Sequence, residues 1–107
     1  KGDTGLIIAS EKGNLDMVKL LLEYKADLKF KDTNGNNALI RAAKNGCFRV
    51  VDVLLRNKIG INSSNHYKRT ALMEATEGGH ICIVKLLIKN GAKVAIKDKF
   101  GKTALDI

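Results

Sequence analysis

Apolar residues fall along the chain in short clusters separated by polar, turn-prone stretches, and the clusters repeat. Thr4-Gly5-Leu6-Ile7, Asn37-Ala38-Leu39-Ile40, Thr70-Ala71-Leu72-Met73 and Thr103-Ala104-Leu105-Asp106 each start 33 residues after the last, with no insertion. Ala9, Ala42 and Ala75 keep the same step, as do Gly13, Gly46 and Gly79, then Val18, Val51 and Val84, then Leu21, Leu54 and Leu87. Residue types of such different chemistry sharing one period exclude an isolated amphipathic helix. The repeat is the unit of the fold.

Within a unit, the Thr or Asn ahead of the first apolar run is placed to cap a helix by accepting a bond from an orphan backbone N–H, with Asn37 a weaker substitute for the three threonines. The helix is expected to stop at the shared glycine, where a left-handed backbone costs little. A second helix is predicted over 15–23, 48–56 and 81–89, with apolar residues such as Val18, Leu21 and Leu22 at helical spacing on one buried face. The segments Asp32-Thr33-Asn34-Gly35, Asn65-His66-Tyr67-Lys68 and Asp98-Lys99-Phe100-Gly101 suit projecting hairpin-like turns. Two helices and a turn make the unit, and the expected fold is an all-α repeat solenoid. It forms one domain over 1–107, with repeats at about 1–31, 32–64 and 65–97 and a partial repeat at 98–107.

The period and the Thr-x-Leu-x-x-Ala core resemble the ankyrin repeat, whose signature is T-P-L-H-x-A. The resemblance covers the whole chain. Proline is absent, and the fourth signature position holds Ile7, Ile40, Met73 or Asp106 in place of the family's histidine, which bonds neighbouring loops. Gly91-Ala92-Lys93-Val94 matches the family's closing Gly-Ala-Asp-Val, Lys25-Ala26-Asp27-Leu28 less closely, and Lys58-Ile59-Gly60-Ile61 least of all.

Stacked units leave apolar faces at the ends of an array. The chain enters at Lys1-Gly2, read as already inside a turn, and leaves at Ile107, so it is expected to be an excerpt of a longer array. Ile7 and Ile8 at one end, and Val84, Leu87 and Ile88 at the other, are expected to be only partly covered, and end-to-end association follows if they are. Nothing resembles a signal peptide, and no apolar run approaches a bilayer span. The expected compartment is intracellular, cytoplasmic or nuclear, with secretion into a host cell left open.

Charge adds a question about partners. Nineteen Lys and Arg against eleven Asp and Glu give +8, which fits acidic proteins, nucleic acid and anionic lipid alike. Chemistry is sparse. Cys47 and Cys82 form no C-x-x-C pair and are expected to be small buried or half-buried residues beside or within the second helices. His66 falls in a turn; His80 follows the repeat glycine, where the resemblance implies a structural histidine. Glu74 and Glu77, three apart on one helix face, suit an acid–base pair less well than a solvated face. Gly78-Gly79 reads as a helix end. No cofactor, metal or catalytic site is expected. The resemblance brings Asn62 close to the context of asparaginyl hydroxylation, with Gly60 in place of the usual acidic neighbour.

The resemblance also implies a concave binding surface built from the turn tips and the outward face of the first helices. Carried over by residue, that surface comprises Lys31, Asp32, Thr33, Asn34, Asn36, Asn65, His66, Tyr67, Arg69, Lys97, Asp98, Lys99, Phe100 and Lys102 on the tips. On the helices it comprises Ile8, Glu11, Lys12, Arg41, Lys44, Asn45, Glu74 and Glu77. Those expected to touch a partner are Asn34, Asn36, Arg41, Lys44, His66, Tyr67, Arg69, Glu74, Glu77, Lys99, Phe100 and Lys102. The turn segments 31–36, 65–69 and 97–102 carry +4, half the net charge, whereas the helix set is neutral. Tyr67 and Phe100 occupy equivalent places on adjacent tips, an aromatic beside positive charge, as in binding hot spots. The expected function is therefore a non-enzymatic protein-binding scaffold for an acidic surface, with electrostatic binding of nucleic acid or anionic lipid through the same tips as the alternative.

Overall fold

A computed structural model describes residues 2–107, and the expectation for Lys1 lies outside them. Six helices follow in order: α1 (Gly2–Lys12), α2 (Leu15–Glu23), α3 (Ala38–Lys44), α4 (Phe48–Arg56), α5 (Ala71–Glu77) and α6 (Ile81–Lys89). A single 3₁₀ turn at Ala104–Asp106 closes the chain. The first helices α1, α3 and α5 stack in one row, and each packs on its own second helix. The molecule measures 37 × 27 × 20 Å.

The shared positions are what the core is made of. Leu6, Leu39 and Leu72 are buried, as are Ala9, Ala42 and Ala75, because these small and branched side chains face the next first helix. Val50, Val51 and Leu54 of α4 are fully buried, since α4 has α2 on one side and α6 on the other. The ends are better covered than the sequence suggests. Ile7 and Leu87 are buried, each facing its own repeat; Val84 is half-buried, and Ile8 and Ile88 are exposed.

Capping follows the same logic, with one exception. Asn37 Oδ1 accepts from Ile40 N–H at 2.9 Å and Thr70 Oγ1 from Met73 N–H at 3.3 Å, both from extended backbone, so Asn37 makes the shorter of the two bonds. At Thr103 the N–H and the hydroxyl both donate to Asp106 Oδ2. Thr4 caps nothing: it lies inside α1, which begins at Gly2, and Gly2 is therefore helical rather than part of a turn. Asn37 and Thr70 are held extended by the turns rooted at Asp32 and Asn65.

After each second helix one residue takes a left-handed backbone: Lys25 at φ 69°, Lys58 at φ 66° and Gly91 at φ 93°. Only glycine adopts this without a Cβ penalty of about 1 kcal/mol. Lys58→Gly is accordingly expected to raise stability by about 0.5–1 kcal/mol, the relief being partly offset by the freer unfolded chain, and a denaturant melt with unchanged m-value is the check.

Candidate partner-binding surface

Each projecting tip is built on one side chain. Asp32 Oδ1 accepts from Asn34 and Asn36 N–H, both at 2.9 Å, and Asp32 N–H donates to Asn36 carbonyl at 2.9 Å. Asn65 does the same for Tyr67 and Arg69, and Asp98 for Phe100 and Lys102. An Asx side chain that satisfies two N–H groups closes the loop and projects its tip outward. Consecutive tips are then joined by backbone bonds, His66 N–H to Asn34 carbonyl at 3.1 Å and Lys99 N–H to Tyr67 carbonyl at 2.9 Å. Asn65 Nδ2 donates to Asn36 Oδ1 at 2.9 Å. These bonds link neighbouring loops without the family histidine.

The tip aromatics stand clear of this framework. Tyr67 is 51% exposed and Phe100 77% exposed, and Lys99 Nζ lies 5.8 Å from the Tyr67 ring centroid. Both rings border a hollow of about 450 Å³ that is also lined by Lys44, Arg69, Glu74, Glu77 and Gly78. A second hollow of about 450 Å³ lies on the other side of Phe100, sharing Arg69 and Glu77 and adding Lys102 and Asp106.

The floor of these hollows is not the basic surface that composition suggests. Arg69 Nε pairs with Glu74 at 3.1 Å, Nη2 with Glu77, and Nη1 with Asp98 at 3.5 Å. Arg69 has 18% of its side chain exposed, Glu74 11% and Asp98 2%, so one guanidinium is held by three carboxylates and turned away from solvent. In the repeat before, Arg41 is tied to Glu11 at 3.2 Å and to Asp32 at 3.0 Å. Two N–H bonds and the Arg69 charge hold Asp98 below the usual carboxylate range, the Lys102 N–H contributing most. Burial pushes the Asp32 carboxyl up, but the N–H bonds from Asn36 and Asn34 and the Arg41 guanidinium outweigh it and leave it lowered.

The twelve residues expected at the site thus divide. Tyr67, Phe100, Lys44, Lys99, Lys102, His66 and Asn34 are exposed, whereas Arg41, Arg69, Glu74 and Asn36 serve the scaffold through the bonds above. Glu77 does both, bonded to Arg69 yet 64% exposed. What sequence reasoning missed is Asp98 as the third carboxylate on Arg69; its signal was the Asp32/Asn65/Asp98 period, which places an acid one repeat beyond Arg69.

The remaining candidates have structural partners. His80 Nε2 lies 3.1 Å from Lys44 carbonyl, crossing to the previous repeat, and Cys47 at the equivalent position places Sγ 3.7 Å from Glu11 carbonyl. Cys47 is half-buried, and that burial pushes its thiol up, away from a reactive thiolate; Cys82 is exposed rather than buried, because its place on α6 faces outward. Asn62 Oδ1 accepts from Lys93 N–H at 2.9 Å, a bond between successive loops. Among the described residues no group of His, Cys, Asp and Glu could hold a metal ion, and no helix is long and apolar enough to cross a membrane.

Compared with known proteins, the chain is similar over residues 1–65 and 57–107 to the family model described as ankyrin repeats in three copies. No curated protein matches it.

Proposed function

Since the chain belongs to the ankyrin repeat family, whose repeats are generally protein–protein interaction modules, we propose that it holds a protein partner across the tips and the concave face of its first helices. The observation that carries this is the pair of bare rings, Tyr67 and Phe100, on consecutive tips, both bordering one hollow. Large rigid side chains presented this way contribute contact area at low entropic cost. An acidic segment of the partner is met by the exposed lysines Lys44, Lys99 and Lys102. Arg69 and Arg41 hold the tips in place and take no direct part. The nucleic-acid and lipid reading is disfavoured by the same ion pairs, because carboxylates interrupt the positive surface that phosphates would track.

Tyr67→Ala/Phe100→Ala tests the reading. Both side chains project into solvent, so the fold is expected to survive by circular dichroism, while proteins captured by the wild-type chain are lost or bound at least tenfold more weakly. Unchanged capture argues that the tips are idle. Retention on heparin at about 0.15 M salt, near physiological ionic strength, supports the electrostatic alternative instead.

A further inference from the structure

The hollow between the two tip aromatics has a chemistry of its own. Glu74 and Glu77 line it, Asp98 lines the adjoining hollow that shares Phe100, and the three carboxylates together face the single guanidinium of Arg69. Lys44 and Lys102 border the hollows, but neither makes an ion pair among the described residues, and both are exposed. Long exposed lysines can swing into solvent; Glu74 and Asp98, 11% and 2% exposed, cannot. The fixed charge at the bottom is therefore negative even though the tips as a group are positive. Above it stand two aromatic faces. Tyr67 already has one cation beside it, Lys99 Nζ, whereas among the described residues no cation lies over the ring of Phe100, which is 77% exposed. Glu77, 64% exposed, has one oxygen on Arg69 and the other open to a donor.

We infer that this hollow receives an arginine side chain of the partner, stacked on Phe100 and bonded to Glu77, while the residues flanking that arginine are acidic and meet Lys44, Lys99 and Lys102. A planar guanidinium satisfies a ring face and a carboxylate at once, which a neutral side chain does not. A wholly acidic segment laid across the same face meets the net negative charge of three carboxylates on one guanidinium. The inference rests on the reading that the concave face binds protein, and it narrows the partner from acidic to acidic with a central cation.

Two synthetic probes separate the possibilities: acetyl-Asp-Asp-Gly-Arg-Gly-Asp-Asp-amide and its counterpart with citrulline, isosteric and neutral, in place of arginine. Titrations followed by amide chemical shifts are expected to show the arginine peptide binding about tenfold more tightly than the citrulline peptide. Glu77→Gln is expected to abolish that preference, bringing the affinities of the arginine and citrulline peptides together. Phe100→Ala, whose ring supports nothing in the fold, is expected to reduce the preference as well. Equal affinities for the two peptides, or a preference that survives Glu77→Gln, overturn the inference and leave the protein-binding reading standing. If neither peptide shifts a resonance at millimolar concentration, both this inference and the acidic-partner reading fall.

Discussion

Arg69→Met is expected to destabilise the protein by about 3 kcal/mol at neutral pH, the low end of what breaking a buried ion pair costs by removing one partner. The substitution keeps much of the aliphatic stem and removes the guanidinium, with its charge and its hydrogen bonds to Glu74, Glu77 and Asp98. It leaves Glu74 and Asp98, 11% and 2% exposed, facing each other and Glu77 with nothing to balance them. Repulsion among ionised carboxylates is the largest part of the cost, so the cost must depend on pH. In the wild type, Asp98 has a folded pKa below its unfolded value of about 3.9. Its stabilising contribution is thus complete above about pH 4 and is lost as pH falls through the folded value. In the variant Asp98 loses the Arg69 charge that helps to lower its pKa, protonation relieves the repulsion, and the gap between the two proteins closes as pH falls toward 3. Denaturant melts at pH 7 and near pH 3 measure this directly. A gap that stays constant with pH would mean that Arg69 contributes packing alone. Tip binding is expected to weaken too, because Arg69 Nη1 pairs with Asp98, whose carboxylate closes the turn that presents Phe100.

The contrast between Arg69 and the residues around it shows which parts of the protein a one-dimensional reading reaches. All three second helices have the predicted bounds, and the glycines at 13, 46 and 79 adopt the left-handed backbone that their helix-end position demands. Such features depend on neighbours a few residues away, and a period of 33 confirms each one three times over. The charge on the binding face depends on something else. Arg69 meets partners 5, 8 and 29 residues away, two on α5 and one on the next tip, so counting it among free tip cations overstates the positive surface. Comparing equivalent positions carries a trace of this: position 36 is Asn, 69 is Arg and 102 is Lys, while position 41 is Arg and 74 is Glu. The cation has moved from the helix to the tip between consecutive repeats, and the acid has moved the other way. Thr4 illustrates the reverse failure. Its sequence is that of a cap, but capping needs extended backbone ahead of it, and that is supplied by the preceding turn rather than by the threonine.

Coupling between tips gives the other large expected effect, and a matched pair isolates it. Gly35 and Gly101 sit at the same turn position with the same backbone, φ 80°, and Lys68 between them adopts φ 59° with a full side chain. The conformation alone therefore tolerates a Cβ at about 1–2 kcal/mol. The surroundings differ. A Cβ on Gly35 would come within 2.8 Å of His66 N and 3.1 Å of Asn65 Cα, backbone atoms of the next tip, whereas a Cβ on Gly101 meets nothing within 4 Å. Gly35→Ala must push the second tip off the first, breaking the His66 N–H to Asn34 carbonyl bond and straining the Asn65 to Asn36 bond beside it. With a bond left unmade costing about 1–3 kcal/mol, Gly35→Ala is expected to cost about 3 kcal/mol and Gly101→Ala about 1 kcal/mol. Hydrogen exchange at the His66 amide is expected to speed up only in Gly35→Ala. Because Tyr67 is the next residue, the same displacement moves one ring of the proposed site relative to Phe100. Loss of binding in Gly35→Ala but not in Gly101→Ala, each compared at a temperature where it is fully folded, would show that recognition needs the two tips in register and not merely the two rings.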